Sequence, residues 1–196
     1  NVTGVQTCAL PIFQGSFGIY YKIQQIPLFA SFGMSNALIS IVSFNYGAGE
    51  NKRVQEAAKW GCIDTMIVGL AFTAIFEIFA NGISSLFSLA SGGANQAISE
   101  TVISAIRLAS IGYIFMSFSV ASQGVLQGLG KIYSPVIISF CRLALFVFPF
   151  VYLFINLPNA SFYLWFAFPI GEILTSLVSY FFLRRNLKSS LAPVAE

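Results

Sequence analysis

The sequence has no histidine, three cysteines, ten basic residues and seven acidic ones. Without histidine there is no Ser/His or Cys/His pair to activate a nucleophile. Cys8, Cys62 and Cys141 lack the spacing of a metal site or a disulfide framework. There is also no Gly-Lys-Ser/Thr phosphate loop, no dinucleotide fingerprint and no close pair of carboxylates. These absences argue against an enzyme and against a bound cofactor. Any uphill work must draw on an ion gradient or a separate ATPase. Charged residues make up 9% of the chain, whereas a soluble domain averages about 25%. The net charge of +3 does not suggest a nucleic-acid partner.

In place of charge there are long apolar runs. Ile26–Phe44, Gly61–Ala80, Leu108–Leu126, Ile132–Leu157 and Phe162–Leu183 each approach the ~20 residues needed to cross a bilayer. Backbone groups in lipid are satisfied only in helices or closed barrels, and continuous runs of this length mean helices. The composition agrees, with 57% hydrophobic residues and a mean hydropathy of +0.80. The expected fold is all-α and integral to the membrane, with helices at about 19–44, 56–80, 103–127, 132–157 and 161–184.

Basic residues orient the spans. Lys52, Arg53 and Lys59 follow the first, Lys131 the third, and Arg184, Arg185 and Lys188 the fifth. The connections Asn81–Ser99 and Pro158–Ser161 carry no Lys or Arg. Lys and Arg mark cytoplasmic loops, so the expected C-terminus is cytoplasmic. The opening Val2–Ile12 lacks the basic and apolar regions of a signal peptide and looks like a translated sequencing adapter. Residues 1–12 are therefore expected to be non-native, 13–188 to form the transmembrane unit and 189–196 a polar cytoplasmic tail. A genuine polar loop is the alternative for the first of these.

Along the chain, Gly18–Gln25 has the aromatic and polar character of an interface, and Pro27 should bend the first span. Asn45-Tyr-Gly-Ala-Gly49 should end it. Glu50–Trp60 suits the start of a helix on the cytoplasmic surface. Gly92, Gly93 and Asn95 punctuate an outer connection. Ser110, Gly112, Ser117, Ser119, Ser122 and Gly124 suit close helix contact or a polar path. Pro135 opens the fourth span, and Pro149 should kink its outer half.

Charges at bilayer depth need a reason, since each costs at least ~2.5–3.5 kcal/mol at the centre. Arg142 and Glu172 both lie near mid-depth on consecutive, antiparallel spans. They are the candidate ion pair, either coupling a proton or cation or tying two helices together. Asp64, Glu77, Lys22 and Arg107 lie nearer span ends and read as snorkelling, capping or anchoring groups. Asn36, Tyr113 and Gln123 are the candidate substrate or cavity residues, each with helix packing as its alternative. Gln127 reads with Gln123 as inter-helix glue.

The segments Gly18-Ile-Tyr-Tyr-Lys-Ile, Pro27, Gly33 and Asn45-Tyr-Gly-Ala-Gly49 resemble the multidrug and toxic compound extrusion (MATE) transporters. So do Gln127-Gly-Leu-Gly-Lys131, Pro135, Arg142 and Pro149. The resemblance covers nearly all of Phe13–Lys188. It implies five transmembrane helices, the eighth to twelfth, of an incomplete six-helix lobe of a twelve-helix transporter. It further implies export of cationic or amphipathic drugs across the cytoplasmic membrane in exchange for Na⁺ or H⁺. The partners would be the lipid bilayer, a drug-like substrate, the N-terminal lobe and the preceding helix, and this stretch would not transport alone. Met116 stands where one branch of the family carries a coupling carboxylate, so the resemblance transfers no cation site. A lipid-linked oligosaccharide flippase of the same superfamily is the alternative, and a non-transporting membrane subunit or enzyme is the alternative of another class.

Overall fold

A computed structural model describes residues 3–90, 96–155 and 160–191, with side chains at 14–86, 98–154 and 162–191. The expected turn at Gly92, Gly93 and Asn95, Pro158 and Asn159 of the Pro158–Ser161 connection and the last five residues lie outside the described residues. Among the described residues there is no strand. The helices are α1 (Thr3–Gly47), α2 (Asn51–Ala90), α3 (Gln96–Ser110), α4 (Tyr113–Gly128), α5 (Tyr133–Phe140), α6 (Phe148–Ile155), α7 (Ala160–Tyr163) and α8 (Ala167–Ser190). A π-helical segment, Cys141–Val147, joins α5 to α6, and a 3₁₀ turn, Leu164–Phe166, joins α7 to α8.

Four continuous stretches are long and apolar enough to cross a membrane: Gln14–Gly47, Asn51–Leu86, Tyr133–Phe154 and Leu164–Ser190. The bent pair Ile98–Ser110 and Tyr113–Gly128 makes the fifth. The all-α architecture of five apolar spans thus matches the sequence reading. The third span differs in kind, however. Rather than one helix over 103–127, α3 and α4 meet at 51° across Ile111 and Gly112. Gly112 donates its amide to the Ala109 carbonyl at 3.0 Å, three residues back, where a regular turn would reach four.

Two further expectations change. The 189–196 tail begins late, because α8 remains helical to Ser190 and carries Arg184, Arg185 and Lys188 on its last turns. In the fourth span the irregularity precedes Pro149. Proline offers no amide to the carbonyl four residues back and crowds it, and that residue, Leu145, lies within the π-helical segment. The wider π turn is the local solution. At Pro27, α1 continues unbroken, with Ser31 Oγ donating to the Pro27 carbonyl at 2.9 Å.

Two turns close in the same way. After α1, Gly49 adopts φ +74°, with Glu50 donating to the Asn45 carbonyl and Gly49 to Tyr46. After α4, Gly130 adopts φ +73°, with Lys131 donating to Leu126 and Gly130 to Gln127. Both are Schellman closures, whose left-handed position favours glycine. In both, basic residues follow within a few positions.

The central helix is α4, which packs against α1, α2 and α8. Small residues allow the approach: a methyl group at Gly124 would lie 2.7 Å from the Ser35 carbonyl oxygen, and one at Gly128 would lie 2.8 Å from the Val42 Cβ. Buried apolar residues gather on either side of this seam, around Leu38, Val42, Val125 and Ile138 at one end and Ile23, Phe76, Ile106 and Met116 at the other. The outer faces are apolar too: Phe44 and Tyr152 are each 76% exposed and Ile78 73%. Such a surface suits hydrocarbon or further helices rather than water.

Candidate functional site

The polar interior lies where α1, the α3–α4 bend and α8 converge. Hydroxyl contacts line α4: Ser31 Oγ to Ser117 Oγ at 3.0 Å, Ser35 Oγ to the Val120 carbonyl at 3.0 Å, and Ser179 Oγ to Ser119 Oγ at 3.3 Å. These short side chains satisfy their hydrogen bonds without separating the helices.

Toward the bend the chemistry changes from hydroxyls to charge. Arg142 Nε donates to Glu172 Oε1 at 2.9 Å, and Arg142 Nη2 reaches the same oxygen. The pair is largely enclosed, with side-chain exposures of 18% and 9%. Arg142 stands on the π-helical segment, where the altered register sets its direction. Glu172 stands on the second turn of α8, next to Gly171. A methyl group at Gly171 would sit 3.1 Å from Val147 Cγ2, so the glycine lets α8 abut the π-helical segment. Both arginine donors converge on Oε1. The other carboxylate oxygen, Oε2, is buried without a hydrogen-bond partner among the described residues.

Two phenols accompany the carboxylate. Tyr20 and Tyr113 are each 1% exposed, and their hydroxyls lie within electrostatic range of each other and of Glu172. No hydrogen bond of ordinary geometry joins the two hydroxyls. Tyr20 is boxed by Trp165, edge-on at 5.3 Å between centroids, and by Phe168 at 5.5 Å. Tyr113 meets Phe76 edge-on at 5.6 Å. The stretch expected to sit at the interface thus turns Tyr20 and Ile23 into the core, while Tyr21 and Lys22 face outward.

The structure brings together three of the five candidate residues: Tyr113, Arg142 and Glu172. Asn36 is exposed on a different face of α1 from buried Ser31, Ser35 and Leu38. Gln123 accepts a hydrogen bond from Ser139 Oγ at 3.1 Å, which ties α4 to α5. Sequence reasoning gave Tyr20 to the membrane interface and Ser110 to close helix contact or a polar path, and missed that Glu77 Oε1 accepts from Ser110 Oγ at 3.0 Å. A carboxylate within an apolar run was the available signal for Glu77.

A groove of about 800 Å³ opens elsewhere, between α2 and α8, floored by Phe118 and edged by Lys59, Arg184 and Lys188. It is mainly apolar and excludes the Arg142–Glu172 pair, so size does not mark the polar site.

The MatE family model matches residues 15–153. Among solved structures, an inward-facing multidrug resistance MATE family transporter of the MOP superfamily superposes with a TM-score of 0.84 at 20% identity, over 92% of this chain and 41% of that one. The Vibrio cholerae MATE transporter VcmN in its bent form gives 0.82 at 17%, over 94% and 42%. A MOP superfamily transporter from Pyrococcus furiosus, described by a reversed binding-pocket polarity that suggests a different function, gives 0.82 at 20%, over 89% and 38%. No curated protein matches. At these identities the structural likeness carries the fold alone. The chain spans about two fifths of the length of these structures.

Proposed function

This chain belongs to the MatE family of membrane transporters, and from that premise we propose that it forms part of an antiporter exporting cationic or amphipathic drug-like compounds in exchange for Na⁺ or H⁺. The remaining lobe and the preceding helix complete the path, the membrane is the cytoplasmic one, and the C-terminus lies inside. The single observation that carries this reading is the family match over residues 15–153.

Within the lobe, Arg142 and Glu172 are the elements we assign to ion sensitivity. A guanidinium is a permanent internal counter-ion for Glu172. A coupling proton or cation would compete with it for the carboxylate, and Arg142 stands on the π-helical segment, whose backbone already departs from the regular helix.

The test is accumulation of a fluorescent cationic dye in drug-hypersensitive cells producing the complete transporter, with Na⁺ and pH varied separately. The expected result is lowered accumulation that returns to the vector level when one of the two gradients is collapsed. Accumulation equal to the vector control under every gradient would remove the exporter assignment.

A further inference from the structure

The α3–α4 bend is flanked by an acid on each side. On the α8 side, a methyl group at Gly112 would lie 3.2 Å from the Pro169 Cα and 3.4 Å from the Glu172 Cγ, so the bend rests directly on α8. On the α2 side, Ser110 Oγ is 3.0 Å from Glu77 Oε1 and 3.1 Å from the Arg107 carbonyl oxygen. Ser110 is fully buried, and a hydroxyl has one proton to donate. Ser110 can therefore give a full-strength bond to the carboxylate of α2 or to the backbone of its own helix, but not to both at once. Thr73, one turn before Glu77, faces a similar choice: its Oγ1 is 2.9 Å from the Ser110 carbonyl and 3.0 Å from that of Gly69.

This competition links charge to shape. While Glu77 is ionised, the charge-assisted bond is the stronger one and Ser110 donates to it. Once Glu77 takes up a proton, the hydroxyl turns to the Arg107 carbonyl. That back-bond within the helix is of the kind that bends helices. The bend carries Gly112, and Gly112 lies against the side chain of Glu172, which holds Arg142. A charge change on α2 is thereby transmitted to the pair on α8 through packed atoms.

We propose that Glu77 is a proton-binding site of this lobe, with Ser110 converting its protonation state into the angle between α3 and α4. The proposal rests on the exporter reading for its purpose and adds a residue that reading does not use. Glu77 is half-buried on α2. The charged and titratable groups on the helices packed against α2 are Tyr20, Tyr21, Lys22 and Tyr46 on α1, Glu100 and Arg107 on α3, and Tyr113 on α4. Arg107 is exposed and forms no ion pair with Glu77 within 4.0 Å, so the Ser110 contact is not masked by a fixed cation.

The experiment uses the complete transporter in lipid nanodiscs, with spin labels at Ser104 on α3 and Gln127 on α4 in a cysteine-free background. Pulsed electron paramagnetic resonance then measures the label separation from acidic to alkaline pH. The wild-type separation is expected to shift with pH. Glu77→Gln should hold the acidic-pH separation throughout, and Thr73→Val should move the baseline but keep the shift. Ser110→Ala leaves Glu77 in place and should also lose the shift, which covers the case in which Glu77→Gln does not fold. A wild-type separation independent of pH, or a full shift retained in Glu77→Gln or Ser110→Ala, overturns the proposal. A Glu77-dependent shift in a protein that exports no dye supports the site and removes the exporter reading instead.

Discussion

At the scale of single residues, the Arg142–Glu172 pair places two opposite charges in the interior. Its two charges are enclosed, and both guanidinium contacts fall on one carboxylate oxygen. Removing one partner leaves the other charge enclosed and unpaired, which costs about 3–5 kcal/mol in comparable buried pairs. Replacing both with apolar residues of similar size is often neutral or better. Glu172→Gln should therefore lower the unfolding temperature in detergent, and the double change Arg142→Leu with Glu172→Leu should restore it. Dye export by the restored double variant should lose its dependence on the ion gradient. Retained dependence in a stable double variant would make the pair purely structural. Depth counting made this pair legible in the sequence, because both residues lie ten or so positions inside an apolar run. Tyr20 and Ser110 were not legible as partners of that site. Which side of a helix faces inward depends on where its neighbours lie, and hydropathy summed along a span does not record it.

Among elements, close approach of helices depends on glycine at only some positions. A methyl group at Gly124 would press 2.7 Å against the Ser35 carbonyl oxygen and 2.4 Å against its Oγ, forcing α1 and α4 apart. At Gly33 a methyl group would meet nothing within 4 Å. Gly124→Ala should therefore destabilise by about 1–3 kcal/mol, the usual cost of overpacking. Gly33→Ala should be neutral or slightly stabilising, since alanine is the better helix former by about 1 kcal/mol. Thermal unfolding of the two variants in the same detergent checks the contrast, and equal effects would mean that the α1–α4 contact does not limit stability. Sequence pattern located these elements well but treated 103–127 as one helix. Hydropathy runs on across Ile111 and Gly112, so the bend has no signature in it. What accompanies the bend is a short hydrogen bond from Gly112 to Ala109 and a hydroxyl from Thr73 that reaches the Ser110 carbonyl.

For the whole molecule, topology is the property most open to direct test. The two Schellman turns, each followed within a few residues by lysine, lie at one end of the bundle with the basic last turns of α8. Lys and Arg excess retains such ends in the cytoplasm. A reporter fused after Glu196 should read as cytoplasmic, and one inserted after Gly92 as extracytoplasmic. The reverse pattern would invert the lobe. Both reporters on one side would break the count of five crossings. The exposed apolar faces of α1, α2 and α6 agree with a unit that sits among lipid and other helices.

By itself, the sequence determined that this protein is a membrane-embedded helical bundle of five apolar spans, because hydropathy and charge add up residue by residue along the chain. The same additivity placed Arg142 and Glu172 at matching depth. Tertiary structure alone decided that the third span bends, that Asn36 faces outward while Tyr20 turns inward, and that Glu77 meets Ser110. Those outcomes depend on helix rotation and on which helices touch. Both are set by packing between residues far apart in the chain, where a local pattern holds no record of the partner.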